Sequence, residues 1–179
     1  MKRAFIASVL VMLPTYVWLQ GDKPPALQTD VAPTHHEWMN SIQQQLTQDP
    51  NQAELWFQLG HGYLNQQDFS SALTCFDYAL RLSDTPTANQ LAAKATSLYY
   101  LSNQTMTTEV QQLLKQALDR DPYNWTALAL IAGDHFISLR YQEAIDAWTL
   151  MLDNAGPSQD RVGVIQSLNQ AKSLVSNAQ

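Results

Sequence analysis

Four histidines are the side chains of this sequence best suited to bind a metal. His35 and His36 are neighbours, so on a helix they point to different faces, and no third ligand follows at a spacing that suits zinc. His61 and His135 fall at groove or packing positions of equivalent predicted helices, where a packing or surface role is commoner than a ligand role. We therefore predict no metal site and no cofactor.

The single cysteine, Cys75, limits the redox chemistry that is available. One cysteine forms no internal disulfide and no Cys-x-x-Cys site. Because Cys75 precedes Phe76, which we assign to the core, we expect a partly buried and inert thiol. A mixed disulfide with a cysteine of a partner is the alternative.

The acidic residues also lack the partners that catalysis requires. Asp119 with Asp121, and Glu143 with Asp146, form pairs, but no nucleophile or base accompanies them, so we interpret them as solvated charge. The net charge of −6 and the isoelectric point of about 4.9 exclude a nucleic-acid partner on electrostatic grounds. We predict that the protein is not an enzyme.

The N-terminus predicts a membrane anchor over residues 1–21. Lys2 and Arg3 precede an uncharged, largely apolar stretch from Ala4 to Leu19, and this charge bias would leave the rest of the chain outside the cytoplasm. A cleaved secretory signal is the alternative, and both interpretations export the domain. Residues 22–33, which are rich in proline, predict a linker.

The remainder of the chain predicts helices. Thr34 and Glu37 have the spacing of a capping box, and the helix that they begin should end before Asp49 and Pro50. From there the sequence repeats at a constant offset. The offset relates Leu59, Gly60, Ala72 and Phe76 to Ile131, Ala132, Ala144 and Trp148.

This offset fits two repeats of about 34 residues with about four extra residues, and 34 is the period of tetratricopeptide repeats. We place the extra residues at LSNQT, 101–105, in the turn of the middle repeat. Lys94 stands there at an apolar position, so either the register slips or its aliphatic stem packs while its ammonium group reaches water. The predicted fold is an all-α tetratricopeptide α-solenoid of about three helix pairs within residues 34–176. Its repeats lie near 53–87, 88–124 and 125–158, and a capping helix covers 159–176.

Two segments carry a more specific resemblance. ATSLYYLSNQTMTTEVQQLLKQALDRDP and WTALALIAGDHFISLRYQEAIDAWTLML resemble the periplasmic tetratricopeptide subunits of bacterial cytochrome c haem-lyase complexes. The short chain and single anchor are most similar to the branch that serves formate-dependent nitrite reductase. The resemblance implies an inner-membrane protein whose domain faces the periplasm and binds the C-terminal peptide of an apocytochrome c. Membrane-bound haem-lyase subunits would carry out the haem chemistry.

In such repeats the first helix of each pair faces a concave groove. The groove positions are apolar, aromatic or small and include no Lys or Arg, which favours an apolar peptide over a clamped carboxylate. The alternative is that the helix at 34–48 or the C-terminal helix covers this face. A general envelope scaffold with no cytochrome partner is the alternative function. The residues that we predict to line the groove are Phe57, His61, Leu64, Asn65, Ala92, Thr96, Tyr99, Tyr100, Ala129 and Phe136.

Overall fold

The computed structural model describes residues 34–157 and 159–177. The predicted anchor at 1–21 and linker at 22–33 lie outside the described residues. In the part that is described, no helix is long and apolar enough to cross a membrane, and all regular structure there is helical, as predicted. The helices of these ranges are α1 His35–Gln48, α2 Ala53–Asn65, α3 Phe69–Leu82, α4 Ala88–Leu101, α5 Thr108–Arg120, α6 Trp125–Ile137, α7 Tyr141–Asp153 and α8 Arg161–Ser176.

Helix α1 begins at the predicted capping box. The Glu37 amide donates to Thr34 Oγ1 at 3.3 Å, and the Thr34 amide donates to Glu37 Oε2 at 2.8 Å. Two backbone N–H groups at the helix start are thereby satisfied. The apolar side of α1 packs on α2, where Ile42 and Leu46 join a core cluster with Leu59.

The sequence offset recurs in the coordinates. The first residues of α2 and α6 are separated by the same offset that relates Leu59 to Ile131, and so are the first residues of α3 and α7. The short turns inside these two pairs each contain a left-handed residue, Gln67 with φ 60° and Leu139 with φ 61°. The turn between α4 and α5 is twice as long as these two turns, so the predicted lengthening of the middle turn is confirmed.

Close approach of the paired helices depends on small residues, as the repeat pattern predicted. Gly60 of α2 lies against the ring of Phe76 in α3, and Ala72 is fully buried between the same helices. In the third pair, Ala132 and Ala144 are also fully buried beside Trp148.

Lys94 keeps the predicted register. Its side chain is largely buried, and its Nζ lies 2.7 Å from Oδ1 of Asp77 in α3. The aliphatic stem therefore packs between helices, while the ammonium group reaches a partly exposed carboxylate. Of the two alternatives for Lys94, the packed stem is correct.

The first helices of the pairs form a continuous row, because α4 contacts both α2 and α6. The C-terminal helix α8 packs on α7, where Leu168 and Ala171 are buried beside Trp148 and Met151. The row α2–α4–α6 is left with one face toward solvent, and that face carries the candidate site.

Candidate functional site

Two adjoining cavities run across the row of first helices, and we call them together the trough. The first, between α2 and α4, has a volume of about 570 Å³. The second, between α4 and α6, has a volume of about 380 Å³. Thr96, Tyr100 and Gln104 line both cavities, so the two halves of the trough share these residues as a common wall.

The first half of the trough is built around an aromatic stack. The rings of Phe69 and Tyr100 lie 4.6 Å apart and are inclined by only 12°. Leu64 and Asn65, at the end of α2, and Gln67 in the following turn complete the lining. Apolar surface and side-chain amides are thus interleaved, a composition that suits a peptide with an apolar face.

The second half of the trough contains a glycine in its lining. A β-carbon on Gly133 would meet no atom within 4 Å, so the backbone of α6 is open to the cavity there. Trp125, Ala129 and Ile137 line the same half. Ile137 is 53% exposed and Tyr100 is 39% exposed, so apolar surface in the trough is available to a partner.

Charge is nearly absent from the trough. Among its lining residues no Lys or Arg is found, and Asp134 is the single residue with a formal charge. Asp134 is 6% exposed. Its Oδ1 accepts a hydrogen bond from the Tyr99 hydroxyl at 3.2 Å, and its Oδ2 lies 2.7 Å from Nη2 of Arg140.

The hydroxyl of Tyr99 is held in its protonated form. Burial raises the pKa of Tyr99 to about 12, and the negative charge of Asp134 acts in the same direction. At neutral pH Tyr99 is therefore a hydrogen-bond donor, which is the role that the geometry requires of it.

Six of the predicted groove residues come together in the trough. Their binding of a peptide remains a prediction. The six residues are Leu64, Asn65, Thr96, Tyr99, Tyr100 and Ala129.

The other four predicted residues do not line the trough. Ala92 is fully buried. Phe57 and His61 pack on Phe76, with ring centroids 5.7 and 5.3 Å from it. Phe136 turns toward Trp148, at 5.7 Å. Because these side chains fill the space between paired helices, they are not presented on the groove face.

Several lining residues were not predicted, because the prediction considered only face positions inside the first helices. Gln67 and Gln104 lie in turns, and Phe69 and Trp125 are the first residues of helices. Leu130 and Asp134 belong to α6 but lie beside its groove-face positions. The lengthened LSNQT turn was a usable signal for Gln104, since extra residues in a turn commonly serve function.

The flanking helices leave the trough open. No residue of α1 or α8 lines it, as far as residues 34–157 and 159–177 are concerned. Helix α1 packs on the side of α2 that carries Leu59, and α8 packs on α7. Neither helix covers Leu64 or Tyr99 in the way that the alternative interpretation required.

The histidines and the cysteine have packing or surface roles. His35 and His36 are exposed at the start of α1. Burial lowers the pKa of His61 and of His135, which favours neutral imidazoles. Within the described ranges, no group of three His, Cys, Asp or Glu side chains could hold a metal ion. Cys75 is buried, and burial raises the pKa of its thiol to about 11.

Two further clefts lie where α1 meets α2 and where α5 meets α6. The first, of about 390 Å³, is lined by Leu46 and Tyr63, and the second, of about 530 Å³, by Leu118 and His135. These residues correspond at the offset of the repeats, so the clefts are equivalent features of the fold. They are gaps in the helix packing, and they recur with the period of the sequence repeat.

Comparisons with known proteins agree with this architecture. The family described as "Cytochrome c-type biogenesis protein H TPR domain", where TPR denotes the tetratricopeptide repeat, matches residues 33–162. The chain is 35% identical over 136 residues to "Formate-dependent nitrite reductase complex subunit NrfG" of Escherichia coli O157:H7, an alignment that covers 76% of this chain and 68% of the relative.

A second relative is "Formate-dependent nitrite reductase complex bifunctional subunit NrfFG" of Haemophilus influenzae. It is 38% identical over 130 residues, which are 73% of this chain and 34% of the relative, so the chain spans about a third of that protein. Among solved structures, "Crystal structure of APC/C hetero-tetramer Cut9-Hcn1" aligns with a TM-score of 0.67 and 15% sequence identity. The alignment covers 80% of this chain and 27% of the chain in that structure. That likeness concerns the helical-repeat fold alone.

Proposed function

The chain belongs to the family of cytochrome c-type biogenesis protein H TPR domains, and from this membership we propose that it is a protein-binding assembly factor for c-type cytochromes. The resemblance predicted from the tandem repeats is confirmed. In this function the trough holds the C-terminal tail of an apocytochrome c, while membrane-bound haem-lyase subunits attach haem to it.

The observation that carries the proposal is the open, apolar trough. Burying a Phe or Leu side chain of a ligand contributes about 1.5–3 kcal/mol before the cost of association. Two or three such side chains against Tyr100, Trp125 and Ile137 give weak to moderate affinity. Such affinity suits a factor that must release the cytochrome after haem attachment.

The charge of the trough supports an apolar peptide over a clamped carboxylate. A carboxylate buried in a site without Lys or Arg loses hydration without gaining a charged partner. The lining amides and hydroxyls, such as Asn65, Gln104 and Thr96, can accept and donate hydrogen bonds to a peptide backbone. The main contribution to affinity in this proposal is therefore burial of apolar side chains.

The cytochrome that is served is, in this proposal, formate-dependent nitrite reductase, because both relatives carry that reductase complex in their names. The family description refers to cytochrome c biogenesis in general, so another c-type cytochrome is the alternative client. We place the domain in the periplasm, tethered to the inner membrane by the N-terminal segment at 1–21.

Calorimetric titration with a synthetic C-terminal tail of the candidate apocytochrome tests the proposal. The native tail should bind, and a scrambled tail of the same composition should bind more weakly. Gly133→Leu should reduce binding, because its side chain would enter the open floor of the trough. Leu139→Ser, at an exposed position that does not line the trough, is the matched control. Equal binding of native and scrambled tails would leave only a general scaffold function.

A further inference from the structure

We infer that Asp134 is a positioning residue of the trough: it fixes Tyr99, whose ring supports Tyr100, and thereby sets the wall that a bound peptide contacts. This inference rests on the proposed function, since it concerns the same site. It assigns a role in binding to a residue that the sequence analysis did not select.

The first step is that Asp134 joins two repeats. A buried carboxylate is costly unless its oxygens are paired. Oδ2 of Asp134 is paired with Arg140, in the turn that follows α6, and Oδ1 accepts from Tyr99, in α4 of the preceding repeat. The position of Tyr99 is thus tied to the third helix pair by a directional bond.

The second step is that Tyr99 supports its neighbour. Tyr99 is only 3% exposed, and its ring meets that of Tyr100 edge-on, with centroids 5.5 Å apart and planes at 80°. Tyr100 in turn stacks on Phe69 of the first helix pair. A line of contacts therefore runs from Arg140 through Asp134 to Phe69 and crosses all three helix pairs.

The third step is that this line of contacts passes through the residue that both halves of the trough share. Tyr100 lines both cavities and is exposed enough for a ligand to touch it. An aromatic side chain that is already held in place loses less conformational entropy on binding, so the free-energy cost of binding is smaller. Asp134 therefore acts on affinity through Tyr100.

The fold itself does not require an acid at this repeat position. Gly62 is the residue of the first repeat that corresponds to Asp134, and a β-carbon there would lie 3.1 Å from Cγ of Met39 and from Cζ3 of Trp38. In the first pair the equivalent space is thus filled by apolar side chains from α1. Ser97, at the corresponding position in α4, is fully buried and donates to the Ala93 carbonyl at 3.3 Å.

The test combines the signals of the Tyr100 ring protons, followed by NMR without ligand, with the affinity for the apocytochrome tail. Tyr99→Phe removes only the hydroxyl, and Asp134→Ala removes the acceptor. We expect both to shift the Tyr100 signals, which the adjacent Phe69 ring influences, and to weaken binding about two- to tenfold. Asp134→Asn keeps an acceptor for Tyr99 and should restore most of the affinity. Asp119→Asn, at an exposed ion pair with Lys115, should change neither measurement.

The outcomes separate the two proposals. Unchanged Tyr100 signals in Tyr99→Phe would overturn the positioning role, whatever the peptide does, and this variant decides the matter if Asp134→Ala does not fold. Shifted signals with unchanged affinity would also overturn it. If the wild-type protein does not bind the tail, the proposed function fails, and the ligand-free signals alone then decide whether Asp134 positions Tyr100.

Discussion

A β-carbon on Gly60 would lie 2.5 Å from Cε1 of Phe76, a distance that real side chains essentially never show. The two helices of the first pair therefore approach more closely here than any residue with a side chain permits. Phe76 is fully buried, so its ring lies wholly within the core.

Gly60→Ala should lower the free energy of unfolding. Overpacking of a closed core costs about 1–3 kcal/mol. The higher helix propensity of alanine offsets about 1 kcal/mol of that cost. We expect a net loss of up to about 2 kcal/mol in the free energy of unfolding, measured by urea denaturation. Gly133→Ala is the matched control, because its β-carbon meets nothing within 4 Å, and its stability should be equal or higher. Equal effects of the two substitutions would contradict the packing argument.

Leu139→Gly should stabilise the protein. Leu139 has a φ of 61° and is 71% exposed, so its side chain adds little packing to a left-handed conformation that disfavours it. Relief of the strain exceeds the extra entropy of glycine in the unfolded chain, for a net gain of about 0.5–1 kcal/mol. Gln142→Gly, at an exposed position inside α7, should instead lose about 1 kcal/mol. Thermal denaturation distinguishes the two variants. A lower melting temperature in Leu139→Gly would contradict the argument that the backbone of Leu139 is strained.

Acidification should destabilise the protein through His61 and His135. Burial lowers the pKa of both imidazoles in the folded state, and the charge of Arg140 adds to the effect at His135. The unfolded chain then binds more protons, so the stability from these groups is complete above about pH 6.5 and is lost as the pH falls through the folded-state pKa values. Urea denaturation between about pH 7 and pH 5 should show this decline.

Removing a buried imidazole should reduce that decline. We expect a flatter pH dependence in His61→Phe, which also keeps an aromatic ring beside Phe57 and Phe76. His36→Gln, at an exposed ring, is the control for the loss of a histidine. If the free energy of unfolding of His61→Phe fell as steeply with pH as that of the wild type, His61 would be excluded as a source of the pH dependence.

Cys75 should react slowly with a thiol reagent in the native protein. Its thiol is buried, and its pKa of about 11 leaves little of the reactive thiolate near neutral pH. Reaction should become rapid once urea unfolds the chain. Cys75→Ala with Ser70→Cys, at an exposed position of α3, is the comparison and should react in the native state. Rapid native labelling of Cys75 would revive the mixed-disulfide alternative.

The sequence predicted the helices and their packing better than the lining of the trough. Gly60, Ala72 and Phe76 stand at fixed spacings because close packing of two helices restricts residue size, and such restrictions are visible in the sequence. Ala92 and Tyr100 both occupy positions that a helical face would present to the groove, yet Ala92 is fully buried and Tyr100 is exposed.

That difference depends on how neighbouring pairs lean against each other, which no single helix encodes. The bond between Tyr99 and Asp134 joins residues 35 positions apart, beyond the reach of a face pattern within one helix. The lengthened turn after Tyr100 was predicted, but its effect on which side chains meet at the trough requires the three-dimensional arrangement.

The contact pattern of the helices has a consequence for how the chain reaches its native state. Over the described residues, helices that touch extensively are never more than two elements apart along the chain. Little loop-closure entropy is lost before such local contacts form, and low contact order is associated with folding in microseconds to milliseconds. An unfolded chain can thus acquire this structure from either end, one helix pair at a time, before segments that are distant in the sequence come into contact.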